Sequence, residues 1–336
     1  MDDIVAAYKL LEDLDNGKGA ATPAAAAAAA ATGPGANEEA AGAPVSPVEI
    51  KDEVRAEVLS WYGTVLHLNS DLDGAMASYE KCVKVCGEEV SPDVLIKLAG
   101  VHLDREDVDR AEMLMGTAID ADRGYGTSYM FKAQIAAVKG DQGEAISCLE
   151  RCMALAPKHA AAYNRMVAMR VQAGQVAEAN EVLEQGLKHN PKSCQLLVSK
   201  GELIFSTAMM MQSAEGMIMS LEPFDKAMVA DPLNPIPCVQ KAMIVMQVQG
   251  DTAQAKDLLH KALRADPNFP TCYLQLANVQ INEATTLEEG EAAVRLYDKA
   301  VELTRERSEL LETMAVKVAA VAKLQGARSL GLTSLQ

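Results

Sequence analysis

The chain has 336 residues and a formal net charge of −16, long enough to bury a substantial core. One Trp, 4 Phe and 8 Tyr are too few large rings for a sandwich or barrel, whereas the abundant Ala, Leu, Met, Glu and Lys are good helix formers. The acidic balance excludes a general nucleic-acid surface, which needs clustered Lys and Arg; it serves either solubility or the steering of basic polypeptides.

In chain order, residues 2–15 come first. Ile4, Val5, Tyr8, Leu11 and Leu14 stand at helical spacing and predict a short amphipathic helix. Residues 16–47 are mostly Ala, Gly and Pro, with eight consecutive alanines from Ala24 to Ala31. That composition supports no core and reads as a flexible linker, spanning about 30 Å as a coil, or as a fraying helix in the Ala run bracketed by Pro23, Gly33, Pro34 and Gly35. A tethered helix of this kind either clips onto a neighbouring protein or folds back on its own chain as a placeholder.

From residue 48 to about 325 the pattern is repetitive. Pro157 and Pro191 are 34 residues apart, Pro232 and Pro267 are 35 apart, and each closes an amphipathic segment. A period of 34 marks the tetratricopeptide helix–turn–helix unit. Aligned on the prolines, the second helices carry a small residue at Ala145, Ala179 and Ala255. A large one follows four positions later at Leu149, Leu183 and Leu259, and a second small one at Cys152, Gly186 and Ala262. Small residues let paired helices approach and the large ones fill the groove between them.

Seven units are expected, beginning near Ala56, Pro92, Gly126, Ala160, Cys194, Ile236 and Pro270, with insertions around Thr207–Ser220 and Asn282–Gly290. A last helix near Glu306–Leu324 suits a cap, and residues 326–336 form a tail. The expected fold is all-α: a right-handed superhelical solenoid of about seven tetratricopeptide repeats with a C-terminal capping helix.

First helices of such a stack line a concave groove. In this frame the peptide-binding positions are Met130, Gln134, Asn164, Ala168, Val198, Glu202, Phe205, Gln240, Ile244, Gln247, Leu274 and Asn278. Apolar and amide side chains in that mixture suit an extended or helical peptide, although any one of them could simply face solvent. The insertion holds Met209, Met210, Met211, Met217 and Met219 within eleven residues. These either present a soft apolar surface or plug the gap opened by the insertion, and the plug is the commoner use of Met.

Chemistry is not signalled. The five histidines are isolated, there is no H-E-x-x-H, P-loop or strand-linked G-x-G-x-x-G, and the seven cysteines form no C-x-x-C. Neither an enzyme nor a cofactor or metal site is expected, and the cysteines read as free thiols in a reducing compartment. No stretch is long and apolar enough to span a membrane, and the N-terminus lacks the pattern of a secretory signal.

The run KGELIFSTAMMMQSAEGMIMSLEPFDKAMVADP, the unit DPLNPIPCVQKAMIVMQVQGD and the closing EAAVRLYDKAVELTRERSELLETMAVKVAAVAKLQ resemble the last repeats of the seventy-kilodalton import receptors of the mitochondrial outer-membrane translocase. The resemblance implies a receptor for hydrophobic precursor proteins, peripheral on the cytosolic face of that membrane. A scaffold subunit of a larger, cytoplasmic assembly is the alternative. That family's clamp for chaperone C-termini is not reproduced: Asn164 and Arg165 are present, but its other members are not where the repeat requires them.

Overall fold

A computed structural model describes residues 2–15 and 51–329, so the expected linker and the end of the tail lie outside the described residues. The chain divides into two compact units, Met1–Ala156 and Pro157–Gln336.

The first unit holds α1 (Asp2–Asp15), α2 (Asp52–Leu68), α3 (Leu72–Cys86), α4 (Pro92–Asp104), α5 (Val108–Ala121), α6 (Gly126–Lys139) and α7 (Gln142–Leu155). Helices α2/α3, α4/α5 and α6/α7 form antiparallel pairs, and α1 packs on α2. The second unit holds α8 (Ala160–Gln172), α9 (Val176–His189), α10 (Cys194–Met210), α11 (Ala214–Met219), α12 (Leu221–Ala230), α13 (Ile236–Gln249), α14 (Thr252–Ala265), α15 (Pro270–Glu283), α16 (Leu287–Leu303) and α17 (Arg307–Ser329). Its pairs are α8/α9, α10/α12, α13/α14 and α15/α16, with α17 packed on α16.

The small–large–small rule extends through all seven pairs. The second helices bury Ala75, Tyr79 and Cys82; Ala111, Met115 and Ala118; Ala145, Leu149 and Cys152; and Ala179, Leu183 and Gly186. In the last three pairs the buried sets are Ser220, Phe224 and Ala227; Ala255, Leu259 and Ala262; and Ala293, Tyr297 and Ala300. Spacings of four and three keep each triplet on one helical face. The large member fills the space between the paired helices while the small members set their approach.

Turn chemistry repeats as well. Asp71, Asp107, Asp141 and Asp251 each precede a second helix and accept the backbone N–H three residues on, from Gly74, Arg110, Glu144 and Gln254 at 2.9–3.2 Å. Each side chain satisfies a donor that the first helical turn leaves unpaired. Gly140 and Gly250 end α6 and α13 in the left-handed conformation, which costs glycine least.

Three expectations need correction. The first pair starts at Asp52 rather than near Ala56. The supposed insertion at Asn282–Gly290 is a short turn leading into a longer α16, sealed by a capping box between Thr286 and Glu289. The capping helix ends at Ser329, beyond Leu324, because Ala320, Leu324 and Ala327 continue its buried face. The N-terminal helix forms as expected, and its docking on α2 is a fact of the tertiary structure.

Candidate functional site

In the second unit the first helices α8, α10, α13 and α15 each contribute part of the expected peptide-binding row. Neighbouring first helices are tied by polar contacts between equivalent levels. Ser199 Oγ donates to Asn164 Oδ1. Gln240 Nε2 donates to Glu202 Oε1 at 3.2 Å, and Gln247 Nε2 approaches Met209 Sδ at 3.6 Å. The structure thus brings Glu202 and Gln240 together and sets Gln247 beside the insertion.

Glu202 is the electrostatic centre of this face. Its carboxyl is solvent-exposed, yet surrounding protein holds its pKa above the usual carboxylate range by desolvation. Among the described residues no cation forms an ion pair with Glu202, whereas nearby Glu184 and Asp225 are held by Lys200 and Lys241, each at 2.5 Å.

The other expected residues divide by burial. Val198 and Ile244 are only 8% and 4% exposed and belong to the core around Phe224 and Ala227. They support the row from behind, because their spacing turns them toward the second helices. Phe205 packs against the same core and is half-buried. Leu274 packs on the cluster of Ala277, Ile281 and Tyr297. Asn278 Oδ1 accepts a 2.7 Å hydrogen bond from the Tyr297 hydroxyl, whose pKa burial pushes up to about 12; its carbonyl is committed to the fold. Asn164 is half-buried and Ala168 exposed on α8. Met130 and Gln134 lie half-buried on α6 of the first unit.

The methionine insertion departs from expectation. Met210 and Met211 are 69% and 75% exposed, and Met209 and Met219 are exposed as well. They do not plug the core: Phe224, Leu203 and Ala208 fill it. The insertion instead lengthens α10 beyond the helix it pairs with and adds α11, which packs on α10 and α13 without burying any residue of its own. Beside them opens an apolar recess of about 380 Å³, walled by Val176 and Ala177 of α9, Leu203, Ile204 and Ala208 of α10, and Met211. Five clustered methionines were the available sequence signal; their exposure was not readable because it depends on where α12 begins.

Trp61, the only Trp of the chain, is exposed on α2, with the Lys97 ammonium 5.5 Å from its ring centre. Among the described residues no group of three or more His, Cys, Asp or Glu is placed to hold a metal ion.

Comparison with known proteins agrees with this architecture. The family model described as tetratricopeptide repeat matches residues 126–159, the span of α6, α7 and the turn that follows. The mitochondrial import receptor subunit TOM70 of Homo sapiens is 21% identical over 294 residues, covering 85% of this chain and 46% of its own length. The Rattus norvegicus protein gives the same figures, so the chain spans about half the length of the curated relatives it matches. Among solved structures, yeast Tom70 superposes with a TM-score of 0.67 at 17% identity over 82% of this chain and 56% of that one. A tetratricopeptide repeat protein from Parabacteroides merdae gives 0.54 at 16% identity, covering 79% and 99%. The fold is an α-solenoid of tetratricopeptide repeats, distantly similar to TOM70.

Proposed function

We propose that the chain is a polypeptide-binding receptor that takes hydrophobic mitochondrial precursor proteins for import, held peripherally at the outer membrane. The observation that carries this is the exposed methionine insertion beside an open apolar recess. Flexible, polarizable Met side chains adapt to apolar segments of varied shape, and an exposed apolar cluster of this kind marks an interaction surface. The similarity to TOM70 supplies the class of client.

Of the twelve expected positions, we assign ligand contact to Ala168, Glu202, Phe205, Gln240 and Gln247, which the second unit leaves accessible. The amides offer hydrogen bonds to a ligand backbone, and Glu202, whose carboxylate accepts from Gln240 and has no ion-pair partner among the described residues, offers a charge to a basic side chain. Clients therefore combine apolar residues with at least one cation. No helix among the described residues is long and apolar enough to cross a membrane; this reading takes a protein partner as the link to the membrane.

The test is fluorescence anisotropy with a labelled segment of a hydrophobic carrier precursor. Met210→Ser with Met211→Ser is expected to weaken binding by about tenfold, the equivalent of about 1.4 kcal/mol, with the helical signal unchanged. Equal affinity of the double variant and the parent chain, or retention no better than by an unrelated solenoid, would refute the assignment. In cells, carbonate extraction of isolated mitochondria should release the chain from the membrane; a uniformly cytosolic distribution would favour the scaffold alternative.

A further inference from the structure

The repeat does not account for α1. Residues 16–50 separate it from α2 in sequence, yet it lies on α2 as a helical ligand lies in a groove. Ile4, Tyr8 and Leu11, spaced four and three, form one face of the helix. Leu11 is buried, and Ile4 and Tyr8 are half-buried. Three repeat helices build the seat. Tyr62 of α2 stacks on Tyr8, and Lys81 of α3 donates a hydrogen bond to the Tyr8 hydroxyl. The cluster of Leu59, Cys82 and Val94, the last from α4, backs the same ring. The hydroxyl donates in turn to Glu12, one turn further along α1.

We propose that this seat is a docking site for acidic amphipathic helices of partner proteins, with α1 as its built-in competitor. The contact has the scale of a ligand rather than of a repeat helix: among the described side chains of α1 only Leu11 is fully buried. A helix of 14 residues is marginal by itself in water, so α1 orders as it docks and loses its order when it leaves. Joined by the linker its composition predicts, it competes at an effective concentration on the order of millimolar. That fills the seat at rest and yields it to a helix that binds more tightly.

The chemistry of α1 defines the partner. It carries five acidic residues against one lysine, and the seat meets it with the Lys81 ammonium, which also lies 5.7 Å from the centre of the Tyr8 ring. The matching helix has an aliphatic residue, a Tyr four positions on, a Leu three beyond that, and a carboxylate next to the Leu. The phenol is read as well as the ring, because the Lys81 ammonium donates to its oxygen. Displacement of α1 uncovers Tyr62 and the apolar cluster behind it, and Tyr is among the residues that anchor protein interfaces.

Fluorescence anisotropy with a labelled peptide of residues 2–15 tests this on the full chain. The Tyr8→Ala, Leu11→Ala chain, whose seat is open, should bind the peptide at least about tenfold more tightly than the parent, whose own α1 competes. Leu11→Ser alone provides the same comparison where the double variant loses helical signal. Adding Lys81→Ala to the open chain should weaken the peptide several-fold, and a peptide carrying Tyr8→Phe should lose as much. A helix of unrelated sequence that keeps only the residues equivalent to Ile4, Tyr8, Leu11 and Glu12 should bind within about fivefold of the α1 peptide, since those side chains make the contact. Equal binding to parent and open chains, or binding to neither, overturns the proposal. So does recognition of the α1 sequence alone, which would make the seat a private cap. The seat belongs to the first unit and the methionine insertion to the second, so either result leaves the precursor-binding reading standing.

Discussion

A Cβ at Gly201 would run into the ring of Phe224, which is fully buried between α10 and α12. The same fit recurs where Gly63 faces Tyr79, so glycine here admits the large residue of the paired helix. Gly201→Ala is expected to destabilise the chain by about 1–3 kcal/mol through overpacking, despite the better helix propensity of Ala; denaturant titration followed by circular dichroism checks it. Glu202 offers the opposite case. Burial raises its folded pKa above the unfolded value, so the native state holds the proton more tightly. Its contribution is full below the ordinary Glu pKa of about 4.3 and is lost as pH rises through the higher folded value. Glu202→Gln should therefore raise the melting temperature at neutral pH, with the gain vanishing in acid, while weakening clients that present a cation. Stability without loss of binding would remove Glu202 from the ligand surface. Neither behaviour is visible in the sequence, where Gly201 and Glu202 are two ordinary helical residues; each depends on a side chain about twenty or more positions away.

The clearest new fact among the elements is the docking of α1. The rings of Tyr8 and Tyr62 stack at 3.8 Å and 10°. Lys81 Nζ donates to the Tyr8 hydroxyl at 3.2 Å, and that hydroxyl donates to Glu12 at 2.9 Å. Leu11 is buried, and Tyr8 also packs on the cluster of Leu59, Cys82 and Val94. The helix thus covers apolar surface that the first pair would otherwise expose, as a second helix does for the first helix after it. Tyr8→Ala removes a stacked pair worth about 0.5–1.5 kcal/mol beyond burial. It should speed hydrogen exchange in α1 and α2 while leaving α8–α16 unchanged; uniform exchange rates throughout would mean that α1 has no capping role. The amphipathic spacing of Ile4, Val5, Tyr8 and Leu11 announced the helix, but its acceptor is formed by α2, α3 and α4 together.

The whole chain carries −16 formal charges, which attract a basic ligand at a distance. Long-range attraction of that kind acts on encounter more than on residence. Association of a basic, apolar precursor segment should slow several-fold as ionic strength rises from about 0.01 M, where the Debye length is about 30 Å, to about 0.15 M. Dissociation should change little. Stopped-flow measurement at several salt concentrations separates the two, and a salt-independent association rate would assign the acidic surface to solubility alone.

The repeat, the starts of its units from Pro92 to Pro270, and the small and large core positions of the regular units were legible from residue order alone. The period of 34 and the four–three spacing are local constraints, since each helix must bury one face against the helix next to it. What only the tertiary structure decided is which side chains remain open. Val198 and Ile244 turned inward, Asn278 was taken by Tyr297, Met209, Met210, Met211 and Met219 of the insertion stayed in solvent, and α1 found a seat on the first pair. Exposure depends on the neighbours a face lacks, and those neighbours are set by where each helix ends and the next one packs.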